Sequence, residues 1–343
     1  MPTYIGLIGG GNITDTHARA ALAIPGVEIS AVYGTHPDKT VKLCANYGGV
    51  PFADIERFLA HGPMDLVIIG SPSGLHAEHG IKAARQKLHV LTEKPIDIST
   101  ARADALIAEC ENSRVKLGVM FQDRTKPDVH RLKSFLAKGA LGKLILADAQ
   151  VKWYRPPEYY GNSSWRGKLA LDGGGALMNQ GVHTVDLLLW LMGDVVSVQA
   201  QMATALHKIE AEDTITALLE FANGAIGTLV ATTSVYPGYA RHIELTGSEG
   251  TVILEHDKII RSDLKTPRSD LPQDSAESRD QNQSATSATV SDVRGHQALI
   301  EDFLHAIKTN SRPLCDGKEG RRSVALIEAI YESARSGERT SVV

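Results

Sequence analysis

Glu93 and Lys94 follow the strand-like run 89–91 after a single residue, Thr92, and precede Pro95. An ammonium at the end of a buried strand can polarise or hydrogen-bond a substrate oxygen, and a carboxylate beside it can hold a ribose hydroxyl. A solvated charged turn has the same pattern, so the weight falls on a second motif. Gly9, Gly10 and Gly11 close the first apolar run, 4–8, and open a helical pattern at Asn12, Ile13 and Thr14. In such a turn Gly9 allows the tight bend, Gly11 lets backbone approach a pyrophosphate, and the amides of the helix N-terminus attract the anion. Thr14 occupies the place of the usual third glycine. Ligands of open parallel sheets sit beyond the carboxyl ends of the strands, which gives Lys94 a catalytic address beside a dinucleotide. Farther along, Asn179, His183 and Asp186 stand at i, i+4 and i+7, the spacing of one helix face. Asp186 either fixes the tautomer of the histidine or satisfies a buried imidazole.

The elements that must position these residues alternate. Strand-like runs at 4–8, 27–33, 66–69, 89–91 and 115–120 are separated by helical patterns at 14–24, 37–47, 75–85 and 99–112, with Ser99 as an N-cap. That order predicts an α/β fold with an N-terminal doubly wound parallel sheet of the Rossmann kind over residues 1–122. Beyond the boundary, strands at 195–203, 214–221, 225–233 and 242–254 follow one another, with a hairpin at Asn223-Gly224. A C-terminal α+β domain, 123–343, is expected to carry an open, mostly antiparallel sheet with helices at 176–192, 296–308 and 320–336. The polar stretch 262–292 reads as an exposed loop.

Composition removes several classes. The chain has 343 residues, enough for two cores, and 36 Lys and Arg against 40 Asp and Glu, with no basic block to track nucleic acid. Cys44, Cys110 and Cys315 show neither disulfide nor metal-ligand spacing, so a reducing cytoplasm and no metal are expected. No apolar run approaches membrane length, and the first residues do not resemble an export signal. At the end of the second strand, where an acid commonly binds the adenosine ribose, stands Gly34. Thr35 and His36 can receive a 2′-phosphate there, so the cofactor is NAD or NADP with a lean to NADP.

Four motifs together resemble a known family. They are Gly9-Gly10-Gly11-Asn12-Ile13, Ser71-Pro72-Ser73-Gly74-Leu75-His76, Glu93-Lys94-Pro95, and the run from Gly173-Gly174-Gly175 through Asn179 and His183 to Asp186. They resemble the glucose-fructose oxidoreductase and inositol dehydrogenase family, Gfo/Idh/MocA, over almost the whole chain. The resemblance implies hydride transfer between a nicotinamide and a secondary hydroxyl or ketone of a sugar, sugar acid or sugar derivative. Lys94 matches the family's catalytic lysine and His183 its acid/base histidine. Ser71, His76, Glu93, Gln122, Trp165 and Arg166 then fall near the cofactor, and subunits associate as dimers or tetramers. Asn179 departs from the aspartate of many polyol oxidisers; an amide cannot accept a proton, so it is expected to orient a substrate hydroxyl. The Met178-Asn179-Gln180 variant, with Tyr154, Arg155 and Tyr160 in an aromatic segment, resembles members that oxidise the 3-hydroxyl of UDP-linked N-acetylated hexuronates. Aromatics of that kind stack on sugar faces or simply anchor a loop. Two other outcomes share the fold: a redox-neutral lyase or glycosidase working through a transient keto-sugar, and a non-catalytic dinucleotide-binding regulator.

Overall fold

The computed structural model describes residues 2–266 and 292–343, in two compact units. Most of the expected polar loop, 267–291, lies outside the described residues, and residues 262–264 belong instead to a strand, Lys258–Leu264.

The first unit comprises the described residues up to 122 and from 292 to 321. Six parallel strands run β1 (Thr3–Ile8), β2 (Val27–Tyr33), β3 (Val50–Phe52), β4 (Leu66–Ile69), β5 (His89–Thr92) and β6 (Leu117–Val119). Their spatial order is β3-β2-β1-β4-β5-β6, so the order reverses between β1 and β4. Parallel strands covered on both faces must be apolar throughout, and β4, Leu66-Val67-Ile68-Ile69, is fully buried. The first segment of this unit ends at Gln122, and residues 292–321 return to it from the C-terminal part of the chain. The helix Arg294–Thr309 is amphipathic and puts Leu299, Ile300 and Phe303 into the core formed by Ile5, Leu7, Ile68 and Leu91. Burying each such side chain is worth about 1.5–3 kcal/mol, more than enough to recruit the helix to the first unit.

The second unit comprises 123–266 and 322–343 of the described residues. Its sheet has eight strands: β7 (Leu144–Lys152), β8 (Val195–Ala203), β9 (Thr214–Phe221), β10 (Ile226–Thr232), β11 (His242–Gly247), β12 (Gly250–Glu255), β13 (Lys258–Leu264) and β14 (Thr340–Ser341). The order is β13-β12-β11-β7-β10-β9-β8-β14; all neighbours are antiparallel except β7 and β10. β7 lies inside the sheet, where Ala147, Ala149 and Val151 face inward and Asp148 and Gln150 outward. The expected single strand at 242–254 is a hairpin, β11 and β12, turning at Ser248-Glu249. On the outward face Leu218 and Ile226 are 59 % and 61 % exposed. Among the described residues no helix is long and apolar enough to cross a membrane.

Candidate active site

The glycine turn ends β1 and starts the helix Asn12–Leu22, whose N-cap is Gly11 without a side-chain cap. Gly9 has φ +133°, and a Cβ there would meet Gly70 O at 2.7 Å, so only glycine lets the turn close against the end of β4. A Cβ on Gly11 would meet nothing within 4 Å. Asn12 and Ile13 stand in the first helical turn, whose amides are the natural donors for an anion. The Thr14 hydroxyl is buried with no hydrogen-bond partner among the described residues. An open backbone cradle, an uncapped helix start and an orphaned hydroxyl fit a dinucleotide pyrophosphate. At the rim, Thr35 and His36 are exposed after β2.

Lys94 leaves β5 half-buried at its carboxyl end, as the topology requires. The loop behind it is held by Asp97, fully buried, which accepts from Ala77 N, Ile98 N and Arg102 Nε at 2.6–2.7 Å. Two expected cofactor ligands make internal contacts. Glu93 turns its carboxylate inward: Oε1 lies 2.9 Å from His17 Nε2 and Oε2 accepts the Lys94 amide at 3.2 Å, which braces the strand end. Burial raises its carboxyl pKa, but the hydrogen bond from His17 and the nearby His17, His296 and Lys94 charges bring it down to about 2. His76 is 1 % exposed, and its two ring nitrogens lie 2.8 Å from Pro95 O and 2.9 Å from Ser71 O. It ties two loops together, and burial lowers its pKa. Ser71 places its hydroxyl 3.0 Å from His79 Nδ1, and Gln122 opens a short turn at the end of this segment.

In the second unit the helix carrying the histidine starts abnormally. Residues Ala176–Gly181 form a π-helical turn before the α-helix Val182–Met192. The expected single face for Asn179, His183 and Asp186 assumed 3.6 residues per turn, and the wider π turn breaks that period. A Cβ on Gly174 would meet Tyr331 Oη at 2.1 Å, and one on Gly175 would meet Glu212 O at 1.8 Å, which explains two of the three glycines. Glu212 caps this start, accepting Gly175 N at 2.9 Å, Leu177 N at 2.7 Å and Tyr331 Oη at 3.0 Å. Burial nevertheless pushes its carboxyl up to about 7.

Asp186 lies deep in the second unit. It is 1 % exposed and forms a bidentate pair with Arg124, at 2.7 and 2.9 Å. The carboxylate facing His183 is Asp123, whose Oδ2 lies 3.4 Å from Nδ1, long for a hydrogen bond and within ion-pair reach. Arg241 Nη1 binds the same oxygen at 2.6 Å and also pairs with Asp257. Burial opposes ionisation of Asp123, but the charges of Arg241 and His183 hold it well below the usual carboxylate range. Nothing in the spacing of the sequence pointed to Asp123 or Arg241; the one local signal was an acid next to Gln122.

Asn179 donates from Nδ2 to Asp172 Oδ1 at 2.5 Å and accepts from Gln180 Nε2 at 2.6 Å. Arg155 is 3 % exposed, donates to Gln180 Oε1 at 2.8 Å and to Tyr154 O at 3.1 Å, and lies 5.1 Å from the centre of the Trp153 ring. Burial lowers its pKa. Arg166 stacks 4.3 Å from the centre of Tyr159 and 5.5 Å from that of Trp165. Tyr160 is 8 % exposed, its hydroxyl 2.9 Å from Thr233 Oγ1 and its ring 4.8 Å from that of His207. Tyr154, by contrast, is half-buried and packs edge-on against the exposed Tyr236.

Residues 3–121 match the model of the oxidoreductase family with an NAD-binding Rossmann fold, and residues 129–253 match the GFO/IDH/MocA C-terminal domain. The chain belongs to the Gfo/Idh/MocA family. It is similar to the WlbA dehydrogenase from Bordetella pertussis, solved in complex with NADH and UDP-GlcNAcA, at 33% identity and a TM-score of 0.90, covering 100% of this chain and 98% of that one. The WlbA dehydrogenase from Chromobacterium violaceum, in complex with the same two ligands, gives 30% and 0.89 over 100% and 96%. Among curated relatives, the inositol 2-dehydrogenase of Rhizobium meliloti is 23% identical over the full length of both chains. As a Gfo/Idh/MocA member, the protein is an NAD(P)-dependent oxidoreductase acting on the hydroxyl or ketone of a sugar or polyol.

Proposed function

We propose that the substrate is a nucleotide-linked N-acetylated hexuronate oxidised at a ring hydroxyl, the 3-hydroxyl, with Lys94 and His183 as the catalytic pair. The observation that carries this reading is the full-length likeness, at 33% identity, to an enzyme bound to NADH and UDP-GlcNAcA. The array of Trp153, Arg155, Tyr159 and Arg166 supports it, because guanidinium groups and aromatic faces suit the anionic and stacking parts of such a ligand. When bound, the nicotinamide supplies the hydride acceptor at its C4. The rest is proton management. Asp123 beside Nδ1 of His183 leaves Nε2 to take the hydroxyl proton, and Lys94 hydrogen-bonds the same oxygen and stabilises the developing alkoxide. Asn179 and Arg155 orient substrate through the Gln180 network. Gly9, Gly11, Asn12 and Ile13 cradle the pyrophosphate, with Trp165, Arg166 and Gln122 towards the nicotinamide end.

NAD is the working cofactor, as in the NADH-bound relatives, and NADP is accepted because no acid occupies the Gly34 position and Thr35 and His36 are open. The three cysteines are free thiols, which suits the cytoplasm. Leu146, Leu218, Ile226 and Val230 share the outward face of the second sheet and support association of copies of this chain. Light scattering on wild type and a Leu218→Lys/Ile226→Lys variant measures this, with a monomeric wild type as the refuting result.

The test of function is reduction of NAD or NADP with UDP-GlcNAcA, free sugars, sugar acids and polyols, in wild type and Lys94→Ala. Reduction with the nucleotide sugar, lost in Lys94→Ala by a factor on the order of 10²–10⁴, supports the reading. Reaction with free sugars alone overturns the substrate class.

A further inference from the structure

Behind Lys94, three buried ionisable side chains converge. His17 comes from the helix that starts at the glycine turn, Glu93 from the end of β5, and His296 from the helix Arg294–Thr309. The side chains are 0 %, 8 % and 3 % exposed. His17 Nε2 lies 2.9 Å and His296 Nε2 3.8 Å from the same oxygen, Glu93 Oε1, and the two rings are 5.9 Å apart. The other oxygen, Oε2, accepts the amide of Lys94 at 3.2 Å.

We propose that His17 and His296 are positioning residues: they clamp the Glu93 carboxylate so that it holds the Lys94 backbone, and through it the ammonium, in register with the helix that receives the cofactor. A buried carboxylate cannot be left without donors, so its orientation is fixed by whichever groups supply them. Here the hydrogen bonds come from His17 on one side and from the amide of Lys94 on the other, with His296 within ion-pair reach of the first oxygen. A carboxylate tied in this way at both oxygens has no free rotation left at its end. Displacement of His17 therefore moves Lys94, and seating of the first helix against a dinucleotide is transmitted to the lysine.

The same trio has the composition of a metal site, and the geometry argues for the clamp instead. A transition metal needs each ligand atom at about 2.0–2.2 Å, and its imidazoles almost always donate the outer N–H to a second group. His17 Nδ1 is buried with no such second group among the described residues.

The inference rests on the catalytic role proposed for Lys94, so Lys94→Ala is measured first; if it keeps wild-type kcat, the functional reading fails and not the clamp alone. With Lys94 established, three variants are assayed with NAD and substrate: His17→Gln, whose amide returns an N–H near the position of Nε2, His17→Leu, and the double variant His17→Leu/Glu93→Leu. The clamp predicts kcat within about threefold of wild type for the glutamine variant and a loss of more than tenfold for leucine, with KM for both ligands little changed. Replacing both partners by apolar groups relieves the buried charge, so the double variant regains melting temperature but not kcat. A double variant that regains stability and wild-type kcat together overturns the proposal. So does a glutamine variant as impaired as leucine, or stoichiometric metal in the purified wild type.

Discussion

Asp123→Asn isolates the charge that His183 feels. Asparagine keeps the shape and a carbonyl acceptor for the Nδ1 proton, so the tautomer survives. The fold should survive too, because Arg241 retains Asp257. At 3.4 Å, with an effective dielectric constant of about 20, the full carboxylate–imidazolium attraction is about 5 kcal/mol. Arg241 sits on the same carboxylate oxygen and cancels a large part of it. A net effect of about 1–3 kcal/mol remains, or about one to two pH units on the imidazole. The sign is fixed: losing the anion makes the imidazolium less stable, so the histidine becomes neutral at lower pH and is a weaker base. The assay is kcat/KM for oxidation against pH. In the variant the acid limb should shift down by about one to two units and the plateau should fall about tenfold or more. An unmoved acid limb with an intact plateau would show that Asp123 does not act on the proposed base, His183.

Other consequences concern stability. Asp186→Asn leaves the Arg124 guanidinium buried without its bidentate anion and should cost about 3–5 kcal/mol in denaturant unfolding; a loss below about 1 kcal/mol contradicts this. Gly175→Ala puts a Cβ 1.8 Å from the Glu212 carbonyl oxygen, which backbone cannot vacate, so the variant should be insoluble or melt far below wild type. Glu212, raised to about 7, is a carboxyl whose folded state binds the proton more tightly than the unfolded chain. Its contribution is therefore fully present below the ordinary glutamate value of 4.5, falls as pH rises, and is lost by about 7, by at most about 3 kcal/mol. His76 and His79, both lowered by burial, act in the opposite sense over the lower part of that window. The measurable quantity is thus the difference in unfolding free energy between wild type and Glu212→Gln from pH 5 to 8, and a difference that does not change with pH refutes the assignment.

Much of the first unit was legible because its signals are local. A buried parallel strand must be apolar along its length, a pyrophosphate turn must be glycine, and a charged residue delivered by β5 has only one end of the sheet to occupy. The motif run from Gly173 to Asp186 was equally visible, as was the hairpin at Asn223-Gly224, where Gly224 has φ +85°. The central strand β7 carries a weaker signal, since alternating alanine and polar residues give little hydrophobic contrast. The pattern of Arg294–Thr309 is plainly helical, but an amphipathic face says only that it packs, not on which core.

What chain chemistry alone specified was therefore the parallel sheet and the glycine turn, with Lys94 and His183 as the candidates for catalysis. Tertiary structure decided their surroundings: Asp123 rather than Asp186 faces the histidine, Arg241 reaches that carboxylate from 118 residues away, and Glu93 is held by His17, 76 residues earlier. Charges act through space over a few ångströms, whereas sequence spacing constrains neighbours only within a helix or strand. A buried carboxylate takes its role from whichever donors the fold brings to it.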